Sequence, residues 1–173
     1  MFYFAQVLGA IAVIFCFISI QQKNKKSVLS FQILSNTFYG LQYLCLGAYT
    51  AFWASAIGIL RGILFKIFCT NKKRNPISVL LIIAALSLIN GIFTYKDKFS
   101  ILAMVIPIIY SYGLWQNNLK VFRIIALFNP ILWFFYNLHV KAYAGIVSCA
   151  IEMCSAIIAI YRYDIKKQST PKN

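Results

Sequence analysis

Three acidic side chains, Asp97, Glu152 and Asp164, stand against 17 Lys and Arg in this 173-residue chain. Glu152 is the acid placed where ionisation is expensive. It lies near the middle of the apolar run 144–161, AGIVSCAIEMCSAIIAIY, whereas Asp97 and Asp164 fall at helix ends or in loops. A carboxylate at the centre of a bilayer costs from a few up to roughly 10 kcal/mol, so it faces a bundle interior and a partner. The opposite charge inside an apolar run is Arg61. A pair between Arg61 and Glu152 would remove most of the cost of either alone. Two readings of that pair stay open. In one, a polar or anionic solute or a proton competes for it during transport; in the other, it is a structural bridge that locks two halves together.

Neutral polar groups are spaced with equal regularity. Gln32, Asn36, Tyr39 and Tyr43 are separated by 4, 3 and 4 residues and share one face of a helix. Asn129, Trp133, Tyr136 and Asn137 form a second such stripe. Asn36, Tyr43, Asn129, Trp133 and Tyr136 are therefore the candidate solute-binding residues, with Trp133 as a stacking wall. The competing reading is interhelical hydrogen bonding, worth about 0.6 kcal/mol per bond. Pro107 falls inside an apolar run and is a candidate hinge, because proline removes a backbone donor and frees a carbonyl.

Enzymatic chemistry finds no footing. The sequence holds no HExxH, no GxSxG, no paired intramembrane aspartates and no glycine-rich phosphate loop. One glutamate without a neighbouring histidine or second acid makes a poor general acid–base pair. The five cysteines, Cys16, Cys45, Cys69, Cys149 and Cys154, form no CxxC and lie mostly in apolar stretches, where they read as small hydrophobes. With a single histidine, His139, neither a metal site nor a cofactor is expected.

The elements that must hold these residues are membrane spans. Hydrophobic residues make up 61% of the chain and aromatics 17%, against about 45–50% apolar in a soluble domain. Seven runs approach the length needed to cross a bilayer: 3–20, 29–47, 51–69, 77–93, 99–115, 121–138 and 142–161. QQKNKKS and TNKKRNP separate spans and end in helix-start signals, Ser27 and Asn75-Pro76. TYKDK and QNNLK are short polar breaks. Tight connections at Gly47-Ala-Tyr-Thr and His139-Val-Lys make hairpins of spans 2–3 and 6–7. Tyr3, Tyr95, Trp115, Tyr161 and Tyr163, near span ends, suit interfacial anchoring.

A net charge of +14 raises the question of nucleic acid. The charges sit in short clusters between apolar runs, as the positive-inside rule requires, and exclude that class. With the N-terminus outside, the inner side carries Lys23, Lys25, Lys26, Lys66, Lys72, Lys73, Arg74, Lys120, Arg123, Arg162, Lys166, Lys167 and Lys172. The outer side carries Lys96, Lys98 and Lys141. Thirteen against three fixes the expected orientation as N-outside and C-inside. No cleavable leader is expected, because the first apolar run begins at Phe2 without a basic segment before it.

The two polar stripes align at a constant offset of 93, Asn36 on Asn129 and Tyr43 on Tyr136. Spans 1–3 and 5–7 thus read as two copies of a three-helix unit, and the single span between them keeps both copies parallel. Small residues on span 3 (Ala51, Ser55, Gly58, Gly62) and span 7 (Gly145, Ser148, Ser155) suit close helix packing.

Several stretches resemble the YgjV-type bacterial inner-membrane proteins: ISIQQKNKK at 18–26, LCLGA at 44–48 followed by Arg61, LWFFYN at 132–137, Gly145 with Glu152, and IIAIYRYD at 157–164. That resemblance implies a bacterial inner-membrane location. More distantly, the 3+1+3 plan is similar to SWEET facilitators, other PQ-loop proteins and PnuC-type vitamin-precursor carriers. The chain departs from their pattern, since the expected Pro-Gln pair stands as Ile20-Gln21 and Trp115-Gln116, and the hinge prolines are reduced to Pro107 and Pro130. Sugar transport and a rocking mechanism are therefore not carried over; the helix arrangement is.

The expectation is an all-α integral membrane protein of seven helices, 3+1+3, with a six-helix 3+3 count as the alternative. It is one membrane domain over 1–173: repeat A 3–69, linker helix 77–93, repeat B 99–161 and a cytoplasmic basic tail 162–173. The expected function is a carrier or facilitator for a small polar solute bound between the units. The alternative is a non-transporting receptor or assembly protein. Lipid, a small polar solute and a second copy of the chain are the partners this reading allows.

Overall fold

A spanning backbone has no water to bond, so each apolar run must satisfy its N–H and C=O groups within itself, as a helix. The computed structural model describes residues 2–69, 75–93, 95, 100–139 and 143–165. Seven α-helices follow among them: α1 (Phe2–Ile20), α2 (Lys25–Cys45), α3 (Tyr49–Phe68), α4 (Ile77–Phe93), α5 (Ser100–Trp115), α6 (Leu119–His139) and α7 (Tyr143–Ile160). One π-type turn, Tyr161–Ile165, continues α7. Lys72, Lys73, Arg74, Lys96, Asp97, Lys98, Lys141, Lys166, Lys167 and Lys172 lie outside the described residues, and with them part of the expected charge bias.

By length and hydropathy, four segments suffice to cross a membrane: Tyr3–Ile20, Ala51–Phe68, Leu119–His139 and Gly145–Ile165. Ile77–Phe93 and Met104–Trp115 are shorter apolar helices. The helix missing from both groups is α2, which carries Gln32, Ser35 and Gln42 as buried residues. Its polarity is turned inward, while Leu34, Leu41 and Leu44 stay exposed on its other side. Elsewhere Phe4, Leu81, Phe93 and Phe128 are likewise exposed, an apolar exterior suited to lipid.

Helix ends follow local chemistry. The expected start of α2 at Ser27 is corrected to Lys25, because Asn24 is the cap and its side-chain oxygen accepts from the Lys26 N–H at 3.0 Å. Asn75 does not cap α4 either. Its amide donates to the Trp115 carbonyl and to Asn117 Oδ1. The hairpin between α2 and α3 closes through Gly47 at φ 69°. Gly47 N–H donates to Leu44 O and Ala48 N–H to Tyr43 O, the paired bonds of a Schellman ending, which needs a left-handed residue at this position.

Packing makes a ring. The middle helix α2 lies against α1 and α3, and α6 lies against α5 and α7. Contacts of α7 with α1 and of α3 with α5 close the circle, and α4 sits outside against α3 and α5. At one end of the bundle the ring is tied by polar groups. Lys25 Nζ donates to Trp115 O at 2.9 Å, Trp115 Nε1 to Pro76 O at 3.1 Å, and Gln21 Nε2 to Ser155 O at 2.8 Å. Half-burial of Lys25 draws its ammonium down to about 8, so it remains mostly charged at neutral pH. Trp115 is thus a crosslink rather than a free interfacial anchor. The described basic residues Lys23, Lys25, Lys66, Arg123 and Arg162 take part in the contacts of this basic end.

Asp164, expected at a helix end or in a loop, lies in the π-type turn that follows α7. The π-type turn brings it onto Arg123 of α6 at 2.9 Å, with both side chains about nine-tenths buried. The Arg123 guanidinium also lies 4.8 Å from the Tyr163 ring centre, and Lys23 and Arg162 reach the same ring. Removing one member of a buried pair strands the other. Arg123→Met should therefore destabilise the protein by about 3 kcal/mol, seen as a lower melting temperature in detergent. Arg123→Met with Asp164→Leu should recover most of that loss.

Candidate functional site

The polar faces of the ring converge on one cavity of about 130 Å³. Cys16 of α1, Gln32, Ser35, Asn36, Tyr39 and Tyr43 of α2, and Ala51, Ala54, Ser55 and Arg61 of α3 line one side. Ile106, Pro107 and Tyr110 of α5, Asn129, Trp133 and Asn137 of α6, and Ser148, Cys149 and Glu152 of α7 line the other. The lining thus draws on the six helices of the ring and takes nothing from α4.

Of the residues expected from the sequence, Asn36, Tyr43, Asn129, Trp133, Arg61, Glu152 and Pro107 all border this space. Tyr136 does not. A helix advances about 100° per residue, so Tyr136 and Asn137 fall on either side of Trp133. The cavity takes the Asn137 side, and the Tyr136 ring packs edge-on against Trp133 at 5.5 Å. α5 runs unbroken through Pro107, whose carbonyl accepts from Ser111 Oγ at 2.5 Å.

The expected contact between Arg61 and Glu152 is absent: no ion pair within 4.0 Å joins them among the described residues. Each charge has its own neutral neighbours. Glu152 Oε1 accepts from the Tyr39 hydroxyl at 3.2 Å. Arg61 is 6% exposed. Its Nη1 donates to Ser111 Oγ at 3.2 Å and its guanidinium lies 5.2 Å from the centre of the Tyr110 ring. Its buried Nε–H has no hydrogen-bond partner, and neither does the buried Oδ1 of Asn129. Arg61 leans toward α5 because that helix, a neighbour of α3 in the ring, offers an aromatic face and a hydroxyl; Glu152 stands on α7.

Reasoning from sequence missed Tyr110, whose hydroxyl accepts from Gln32 Nε2 at 2.8 Å and which follows Pro107 by three residues on the same face. It also read Ser55 and Ser148 as packing residues alone. Both are buried and line the cavity, and the offset of 93 that relates Asn36 to Asn129 also relates Ser55 to Ser148. That coincidence was the available signal.

Gly58 was read as a helix-packing glycine, and it serves the site as well. A Cβ there would run into the Asn36 side chain, whose Nδ2 donates to Gln32 O at 2.7 Å. Gly145 gives the same clearance to Asn137. Gly58→Ala should displace Asn36 and cost about 1–3 kcal/mol as an overpacking change, read from thermal melts. Tyr39→Phe, which removes a hydrogen bond to a carboxyl group without adding bulk, should cost about 1.5 kcal/mol in the same measurement.

Comparison with known proteins identifies a family. A family described as bacterial inner membrane protein, Imp-YgjV, covers residues 3–167. No curated protein matches the chain, and no solved structure does, so the distant likeness to SWEET and PQ-loop carriers gains no support. Coverage of nearly the whole chain, with a fold of apolar helices around a polar interior, places the protein in the Imp-YgjV family of bacterial inner membrane proteins.

Proposed function

We propose that this protein is a carrier or facilitator for a small polar solute, bound in the central cavity between its two three-helix units. The observation that carries the reading is the cavity itself. Bundle packing alone calls for small apolar contacts and scattered hydrogen bonds. Here amides, phenols, hydroxyls and two opposite charges from five helices border one space, with the Cys16 thiol from a sixth. A cavity of about 130 Å³ compares with the ~150 Å³ void that accepts benzene, so a solute of about six non-hydrogen atoms fits.

A duplicated architecture supports the same reading. Two pairs at one offset, Asn36 with Asn129 and Ser55 with Ser148, contribute to the lining, and α2 and α6 hold corresponding places in the ring. The two units are parallel copies, α1–α3 and α5–α7, joined by α4, with the N-terminus outside and the basic end in the cytoplasm. Pro107 is the hinge of α5, and its bond from Ser111 links that hinge to Arg61.

Flux into proteoliposomes tests the carrier reading directly. Polar solutes of this size should enter protein-containing vesicles faster than protein-free ones. Glu152→Gln and Arg61→Gln should each cut that rate at least tenfold, in line with about 1.4 kcal/mol or more per lost interaction. Because the two charges do not touch, exchanging them should not restore flux. Flux at the protein-free rate for every solute, with a partner co-purifying in stoichiometric amount, would replace the carrier with a receptor or assembly role. Orientation is tested separately. In a cysteine-free background, Ala48→Cys and Tyr95→Cys should react with impermeant maleimide in intact cells, and Asn24→Cys and Asn118→Cys should react only after lysis.

A further inference from the structure

Resting on that reading of the cavity, we infer that its ligand is a small zwitterion, carrying one ammonium and one carboxylate group, held between Glu152 and Arg61. The two charges border the same space without forming an ion pair. Each is left with weak, uncharged partners: a phenol hydrogen bond at 3.2 Å and the Cys16 thiol for Glu152, and a serine hydroxyl at 3.2 Å and an aromatic face for Arg61. A charge kept from water and poorly paired is unfavourable. A zwitterion gives both a counter-charge at once and leaves the net charge of the cavity unchanged. A simple anion would leave Glu152 without a counter-charge, a simple cation would leave Arg61 without one, and a neutral solute would leave both.

The local chemistry agrees at each pole. With Nη1 engaged by Ser111, the guanidinium keeps its Nε–H buried and unpartnered, a donor suited to a planar carboxylate. At the other pole the Tyr39 hydroxyl holds the Glu152 carboxyl group, and Tyr39 and Tyr43 stack with centres 6.2 Å apart. A carboxylate beside aromatic faces is a setting that favours an ammonium. Asn129 Oδ1, buried without a partner, supplies a further acceptor. The cavity volume restricts the ligand to the scale of glycine or β-alanine rather than a large amino acid.

Binding is measured by calorimetry on the full chain in nanodiscs, with glycine, β-alanine, propionate, propylammonium and the neutral glycolamide as probes. Glycine or β-alanine should bind at least tenfold more tightly than all three of the others. Glu152→Gln, nearly the same size as the wild-type residue, should reduce that preference over propionate to less than threefold. Equal or tighter binding of propionate, propylammonium or glycolamide would overturn the assignment. So would silence of both zwitterions in the wild-type protein, or an unchanged preference in Glu152→Gln. Flux separates this inference from the carrier reading. Zwitterion binding without flux keeps the ligand class and ends the carrier; glycolamide flux without zwitterion binding keeps the carrier and ends the ligand class.

Discussion

The polar groups of α2 and α6 govern where the other helices go. Gln32, Ser35, Asn129 and Asn137 are buried on two helices whose opposite faces are apolar and exposed. In hydrocarbon those amides and hydroxyls have no water to turn to, so they face the bundle interior, and the neighbouring helices must present partners or space. Each middle helix accordingly lies between two others, and glycines on α3 and α7 let Asn36 and Asn137 lie close against them. The interior combines the polar lining of the cavity with an apolar cluster that includes Leu29, Phe65 and Phe122, and the exterior is apolar. Polar faces turned inward from the helices of the ring make a central cavity the natural product of this sequence.

Much of the framework was legible in the sequence because it depends on local quantities. Apolar length and punctuation located seven helices to within a few residues, with the largest error at α2. There the charged stretch after Asn24 is already helical, with Asn24 capping the backbone. Helical spacing also found Asn36, Tyr43, Asn129 and Trp133, because residues three and four apart share a face whatever surrounds them. What spacing could not supply was rotation about the helix axis relative to a neighbour. Tyr136 and Asn137 are equally good candidates by spacing, and packing against α7 decides for Asn137, whose amide donates to Cys149 Sγ at 3.6 Å. Tyr110 was hidden for a related reason. One aromatic on an apolar helix acquires meaning when Gln32 and Arg61 arrive from other helices.

Among the described residues two arginines are buried, Arg61 and Arg123, and the fold treats them differently. Arg123 and Asp164 meet at 2.9 Å, the geometry of a clasp, at the end of the bundle where α6 and the last turn must be held together. Arg61 and Glu152 border one cavity and stay apart. At an effective dielectric constant near 20, two unit charges at 4 Å attract by about 4 kcal/mol, and doubling the distance halves that. A bridge whose work was to lock α3 to α7 would gain most at contact, as Arg123 does. Separation forgoes that gain and leaves two cavity-lining residues with unmet hydrogen-bonding capacity, at Arg61 Nε–H and Asn129 Oδ1. The contrast within one molecule favours a binding site over a clasp, because the same fold makes a clasp elsewhere.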